Sequence, residues 1–229
     1  MLIYNPLDLI IQNTKINLLL KVRKMNKQQY NKDYSEDVLD ILEHIEELKI
    51  NGKHKESIVE AEKLLCEDPN CVPALEEVAD NYVSINKFER AEKACDRVLS
   101  LNNDSHIAYY ILGFIRSNQQ KWTEAVKHLK LANDLHSNNP EILRCLGWAL
   151  FNSNKQTQGI VILERSLNID PDNSLTLCDL GVCYLQKKNF DKSINLLKRA
   201  IEIDPENTRI QECYKAAEKF HNQFIDIKK

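Results

Sequence analysis

Leu143-Arg144-Cys145-Leu146-Gly147-Trp148-Ala149-Leu150 decides the fold, because its Leu-x2-Leu-Gly pattern returns at a constant step. The step is 34 residues: Tyr109-Tyr110-Ile111-Leu112-Gly113 stands one step earlier and Leu177-Cys178-Asp179-Leu180-Gly181 one step later. Only five glycines occur in the 229 residues, and three of them keep this period. Pro171 and Pro205 keep it too, and Pro69 falls in phase upstream. A fixed period of about 20 to 50 residues marks a chain built from one supersecondary unit copied and stacked.

With each glycine at position 8 the frame runs through five units without insertion: 38–71, 72–105, 106–139, 140–173 and 174–207. Apolar residues inside each unit fall three and four apart, as in Leu143, Leu146, Leu150 and again Ile160, Leu163, Leu167, which is helical spacing. Polar breaks such as Asn51-Gly52-Lys53 and Asn154-Lys155 divide each unit into a first helix (A) and a second (B). Asp204-Pro205-Glu206-Asn207 and similar tracts end the units. Glycine at position 8 lets helix A lie close against its partner, and alanine, as at Ala79, is expected to permit the same approach. A helix pair cannot bury its apolar stripe alone, so the units are expected to stack. Residues 208–229 carry the stripe Ile210, Cys213, Tyr214, Ala217, Phe220 and Phe224, expected as a capping helix with a tail.

The units resemble the tetratricopeptide repeat (TPR). The fourth has Leu143, Leu146, Gly147, Leu150, Gly159, Leu163 and Pro171; the fifth has Leu177, Leu180, Gly181, Tyr184, Ser193, Leu197, Ala200 and Pro205. The first departs most, with His44 and Ile45 in place of Leu-Gly. The resemblance implies an all-α, right-handed α-solenoid whose concave groove is lined by positions 2, 5, 6, 9, 12 and 13 of helix A. On this chain those positions include Glu43 and Glu46 in unit one, and Glu76, Glu77 and Asp80 in unit two. Unit three contributes Tyr110 and Phe114; unit four contributes Arg144, Cys145, Trp148 and Phe151. The lysine and asparagine set with which chaperone-tail receptors of the family hold a terminal carboxylate is not supplied by any three consecutive units.

Charge separates along the frame. Units one and two hold 16 acidic against 8 basic residues, whereas units three and four hold 6 against 7. An acidic pole attracts basic segments, while a nucleic-acid partner would demand a basic stripe, against a sequence pI near 6.1. The expected partner is therefore a protein or peptide offering basic and apolar residues. Aromatic and arginine side chains on the stripe are the residue types that anchor interfaces.

Catalytic signatures are absent: no nucleophile elbow, phosphate-cradling glycine loop or Cys-x-x-Cys occurs, and the histidines are scattered. We expect no enzyme activity, no cofactor and no metal. The seven cysteines read as small buried hydrophobes of a reducing, cytoplasmic chain. Residues 1–37 lie outside the frame and are expected as a flexible or helical extension. Their apolar runs are broken by Asp8, Asn13, Lys15 and Asn17, too short to span a bilayer, and the repeats lose nothing if Met25 is the start. The expected role is a non-catalytic interaction module acting as adaptor or assembly scaffold. The alternative is a structural or regulatory subunit using its convex face or its N-terminal segment, with membrane contact through residues 1–24.

Overall fold

The computed structural model describes residues 34–227, with side chains to residue 223. The expected N-terminal extension, its membrane contact and the start at Met25 concern residues that lie almost wholly outside these. The described chain forms eleven helices and no strand. It divides into two compact units between Asp104 and Ser105.

The first unit contains α1 (Glu36–Ile50), α2 (His54–Glu67), α3 (Val72–Ser84) and α4 (Phe88–Leu101). The second contains α5 (His106–Asn118), α6 (Trp122–Leu135), α7 (Pro140–Asn152), α8 (Gln156–Ile169), α9 (Ser174–Gln186), α10 (Phe190–Ile203) and α11 (Thr208–Ile227). Helices α3, α5, α7 and α9 begin at Val72, His106, Pro140 and Ser174, each 34 residues after the one before.

The turn inside each pair is made the same way every time. Gly52, Asn86, Gln120, Asn154 and Lys188 occupy one equivalent position, and all have φ between 57° and 75°. Each closes its helix in a Schellman arrangement: Lys53 N–H reaches Leu48 O and Lys87 N–H reaches Tyr82 O, with the same bond at Lys121, Lys155 and Asn189. Glycine and asparagine take this left-handed backbone readily. At Gln120 and Lys188 the chain adopts it despite the side chain, so the tertiary packing of the pair dominates local preference.

Between pairs, side-chain caps start the next helix. Ser105 accepts from Ala108 N–H at 3.0 Å, Asn139 from Glu141 and Ile142 N–H, and Asn173 from Thr176 N–H at 2.9 Å. Pro140 follows its cap at the first helical position, where the missing N–H costs nothing.

The two helices of a pair meet where position 8 of helix A faces position 20 of helix B. Ser57 donates to Ile45 O at 2.9 Å, and Ser193 donates to Gly181 O at 2.8 Å. In the α7–α8 pair both positions are glycine, and the backbones close further. A Cβ on Gly159 would lie 2.6 Å from both Gly147 O and Phe151 N. The expectation that alanine suits position 8 therefore needs correcting at Gly147, where an added methyl would meet Gly159 O at 2.9 Å as well as Leu163 Cγ at 2.7 Å. At Gly181 the three nearest atoms all belong to the Leu197 side chain.

Helix α11 lays Ile210 and Ala217, both fully buried, on Leu177, Leu197 and Ala200. Cys213 and Tyr214 pack at the margin of that cluster, while Phe220, expected on the buried stripe, is 51% exposed.

Gly159→Ala is expected to lower stability by up to about 2 kcal/mol: an overpacking cost of about 1–3 kcal/mol that backbone must absorb is offset by a helix-propensity gain of about 1 kcal/mol. Gly181→Ala, which displaces only a leucine side chain, should lose less. Urea denaturation midpoints of the two variants check the order.

Candidate partner-binding groove

In the second unit, α5, α7 and α9 turn successive faces to one open groove, and the start of α11 edges it. The cavity holds about 330 Å³. Phe114, Ser117 and Asn118 come from α5; Arg144, Cys145 and Trp148 from α7; Leu175 and Asp179 from α9; Arg209 from α11. Phe114 and Trp148 share position 9 of successive repeats. Each is half-buried: Phe114 packs on the cluster of Ala125, Leu129 and Ala149, and Trp148 on that of Phe151, Leu163 and Leu180. They thus serve the core with one side and line the groove as well.

A polar chain crosses the same four helices. Tyr110 Oη donates to Glu141 Oε1 at 3.1 Å. Arg144 grips Glu141 through Nε at 2.9 Å and Nη2 at 2.5 Å, and its Nη1 donates to Asp179 Oδ2 at 2.7 Å. Arg209 Nη2 donates to the other Asp179 oxygen at 3.0 Å. The Asp179 side chain is only 2% exposed, so this carboxylate needs both guanidiniums. Burial pushes its carboxyl above the ordinary range, while Arg144 and Arg209 pull the other way. Burial also acts upward on Glu141, but the hydrogen bonds and charge of Arg144 outweigh it and hold that carboxyl low. Two cations and two anions cancel, leaving a groove that is polar at its α9–α11 edge, apolar beside Phe114 and Trp148, and close to neutral.

Arg144 is consequently no free anchor. Its side chain is 11% exposed and its donors are engaged within the unit. Arg209, with 56% of its side chain exposed, presents the more accessible charge. Leu175, Asp179 and Arg209 occupy positions 2, 6 and again 2 when the stripe is carried on into unit five and α11, and Ser117 and Asn118 occupy 12 and 13 of unit three. The same positional rule reaches them once it is extended past unit four.

The acidic residues lie in the first unit, by themselves. Lys49 of α1 sits 2.8 Å from Glu77 and 3.1 Å from Asp80, both on α3, with the Glu46 charge also acting on it. Glu43 is half-buried on α1, and Glu76 is buried, 7% exposed, and so is turned inward instead of presenting its carboxylate. One ammonium faces several carboxylates. Burial alone would lower Lys49, but Glu77 and Asp80 outweigh it and hold the ammonium above its ordinary range. Burial pushes Glu77 up to about 7, with Glu46 and Asp80 adding repulsion that Lys49 only partly offsets.

Among the described residues no group of three or more His, Cys, Asp or Glu is placed to hold a metal ion, and no helix is long and apolar enough to cross a membrane.

Two family models match: the tetratricopeptide repeat protein 21 C-terminal ARM domain over residues 70–176, and the tetratricopeptide repeat over 174–207. Tetratricopeptide repeat protein 21B of Xenopus laevis is 33% identical over 66 residues, which is 28% of this chain and 5% of that protein's length. Among solved structures, the Cut9-Hcn1 hetero-tetramer of the APC/C aligns with a TM-score of 0.73 at 18% identity, covering 88% of this chain and 39% of that one. The TPR protein TTC0263 of Thermus thermophilus aligns with a TM-score of 0.67 at 16% identity over 78% of this chain and 97% of its own. YrrB, described as a TPR protein with an unusual peptide-binding site, gives a TM-score of 0.56 at 18% identity, with 83% and 97% covered. At these identities the structural likenesses establish the fold.

Because the folded Glu77 carboxyl titrates near 7 and an unfolded one near 4.5, the folded state holds that proton longer. Its contribution is full below about pH 4.5 and is lost as pH rises through about 7. The melting temperature of wild type relative to Glu77→Gln should therefore fall between pH 5 and 7.5, by differential scanning fluorimetry at each pH.

Proposed function

The chain is a tetratricopeptide repeat protein, and on that premise we propose that it is a non-catalytic adaptor capturing a segment of a partner protein in the groove of α5, α7 and α9. Its repeats are 38–71, 72–105, 106–139, 140–173 and 174–207, followed by the closing helix within 208–229. The observation that carries the reading is the pairing of Phe114 and Trp148 at one repeat position, beside Leu175 in a groove with no net charge. Such a surface favours a segment with apolar side chains flanked by uncharged polar ones. Asn118, exposed on the rim, is placed to bond the backbone of an extended segment. A folded scaffold loses little freedom on binding, so the ordering cost falls mainly on the partner.

Separately, the carboxylates about Lys49 favour basic residues of a partner. Asp80 and Glu46 are better recognition groups there than Glu76, which is buried, or Glu77, which is partly protonated at neutral pH. A cytoplasmic setting with peptide ligands and no nucleic acid fits this reading.

The test is photo-crosslinking from the groove. A benzophenone side chain at Asn118 should label the partner, and one at the exposed outer residue Lys130 should not. A synthetic peptide of the labelled segment should bind wild type at least tenfold more tightly than Phe114→Ala, since a desolvated aromatic anchor contributes on the order of 2 kcal/mol. Equal labelling from both positions, or unchanged peptide affinity in a Phe114→Ala protein of native circular dichroism, overturns the groove reading.

A further inference from the structure

The turn between α1 and α2 holds the chain's single Asn-Gly pair, Asn51-Gly52. Asn51 caps α1, its Nδ2 donating to Glu47 O at 2.9 Å, and Gly52 N–H donates to Lys49 O at 2.9 Å. Both residues are exposed. Gly52 has φ 75°, and a Cβ built on it would meet nothing within 4 Å, so its surroundings are open. Asn86 and Asn154 hold the left-handed position of two later turns, but each is followed by a lysine, whose Cβ crowds the next amide nitrogen. Only at Asn51 does an asparagine side chain adjoin a backbone nitrogen with no side chain beside it. Each of the two groups is held back by one hydrogen bond to the last turn of α1. Lys49, whose carbonyl accepts one of those bonds, also carries the ammonium that faces Glu77 and Asp80 of α3 at 2.8 and 3.1 Å.

We propose that Asn51 is a self-modification site: its side-chain amide closes an imide with Gly52, hydrolyses to aspartate or isoaspartate, and so releases the end of α1 that carries Lys49. The reaction proceeds when fraying of that end frees both groups. The Gly52 nitrogen gives up its proton to solvent and attacks Asn51 Cγ. The Cγ–Nδ2 bond breaks, and Nδ2 takes up a proton and leaves as ammonia. Water then adds to one of the two imide carbonyls. Opening at Cγ breaks its new bond to the Gly52 nitrogen, restores the ordinary backbone and leaves an aspartate. Opening at the main-chain carbonyl breaks the original peptide bond, so the chain runs through Cγ as an isoaspartate. In either case the water oxygen ends in a carboxyl group, a proton returns to the Gly52 nitrogen, and nothing is oxidised or reduced. The aspartate cannot donate to Glu47 O, and it sets a negative charge at the negative end of α1. The isoaspartate also adds a carbon to the main chain ahead of Gly52, which spoils the bonds from Gly52 N–H to Lys49 O and from Lys53 N–H to Leu48 O. With that turn loosened, Glu77 and Asp80 lose the ammonium they share, and the first unit gains free carboxylates.

The full chain would be aged in neutral and mildly alkaline buffer, digested at glutamate and read by mass spectrometry, with electron-transfer fragmentation separating aspartate from isoaspartate. The expected result is progressive loss of the amide at Asn51 while Asn86 and Asn154 keep theirs. Sub-denaturing urea, which opens the end of α1, should speed the loss. In the aged protein, amide exchange over residues 47–53 should quicken on the order of tenfold. Lys49 should also be acetylated more readily by N-hydroxysuccinimidyl acetate. Asn51→Gln keeps an amide donor but places its carbon one bond too far for the five-membered ring. That variant, with native circular dichroism, should show none of these changes. Asn51 still an amide when Asn86 or Asn154 has converted, or converted with exchange and Lys49 reactivity unchanged, overturns the proposal. So does an Asn51→Gln protein that ages as wild type does.

Discussion

The contact on which the structure depends is the approach of position 20 of each second helix to the position 8 carbonyl of the first. A backbone oxygen already bonded within its own helix keeps a spare lone pair, and whatever faces it must either bond it or be small enough to leave the helices close. Ser57 and Ser193 bond it. Gly159 instead has no side chain, and the α7–α8 pair is drawn together until the two backbones touch. The side chains at positions 9, 12 and 13 are carried on the same helix and inherit their direction from this contact. The groove of the second unit is thus a consequence of how tightly three pairs close.

Once α5, α7 and α9 are set, their polar side chains have to satisfy one another. Asp179 is shielded almost completely and would be untenable alone; Arg144 and Arg209 neutralise it, and Arg144 also binds Glu141, which in turn takes the Tyr110 hydroxyl. Buried ion pairs contribute little net stability but penalise any arrangement that leaves a member unpaired. The network therefore fixes the helices' relative register more than it strengthens them. By absorbing the charges of Arg144 and Asp179 it leaves Phe114, Trp148 and Leu175 as the groove's distinctive surface.

Residue type and position were instructive to different degrees along the chain. Phe114 and Trp148 were legible because position 9 is read from the period alone, and period converts directly into a helix face. Arg144 read as an interface arginine because the sequence offers no sign that Asp179, in the next repeat, lies 2.7 Å away. Glu76 and Glu77 are adjacent and chemically alike, yet one is buried and the other keeps 21% of its side chain exposed beside Lys49, a distinction of about a hundred degrees of helix rotation.

The sequence by itself determined the pairing of helices, the constant step between pairs, the faces on which aromatic and acidic residues fall, and the excess of carboxylates in the first two repeats. These are local properties, carried by spacing within a few turns of helix and by the glycine and cap residues that start and stop them. Only the tertiary structure decided which charges cancel, which carboxylate is withdrawn from solvent, and how closely α7 approaches α8. Those outcomes depend on distances of a few ångströms between side chains roughly 30 residues apart, and Coulomb and hydrogen-bond energies change over that range faster than any sequence pattern can register.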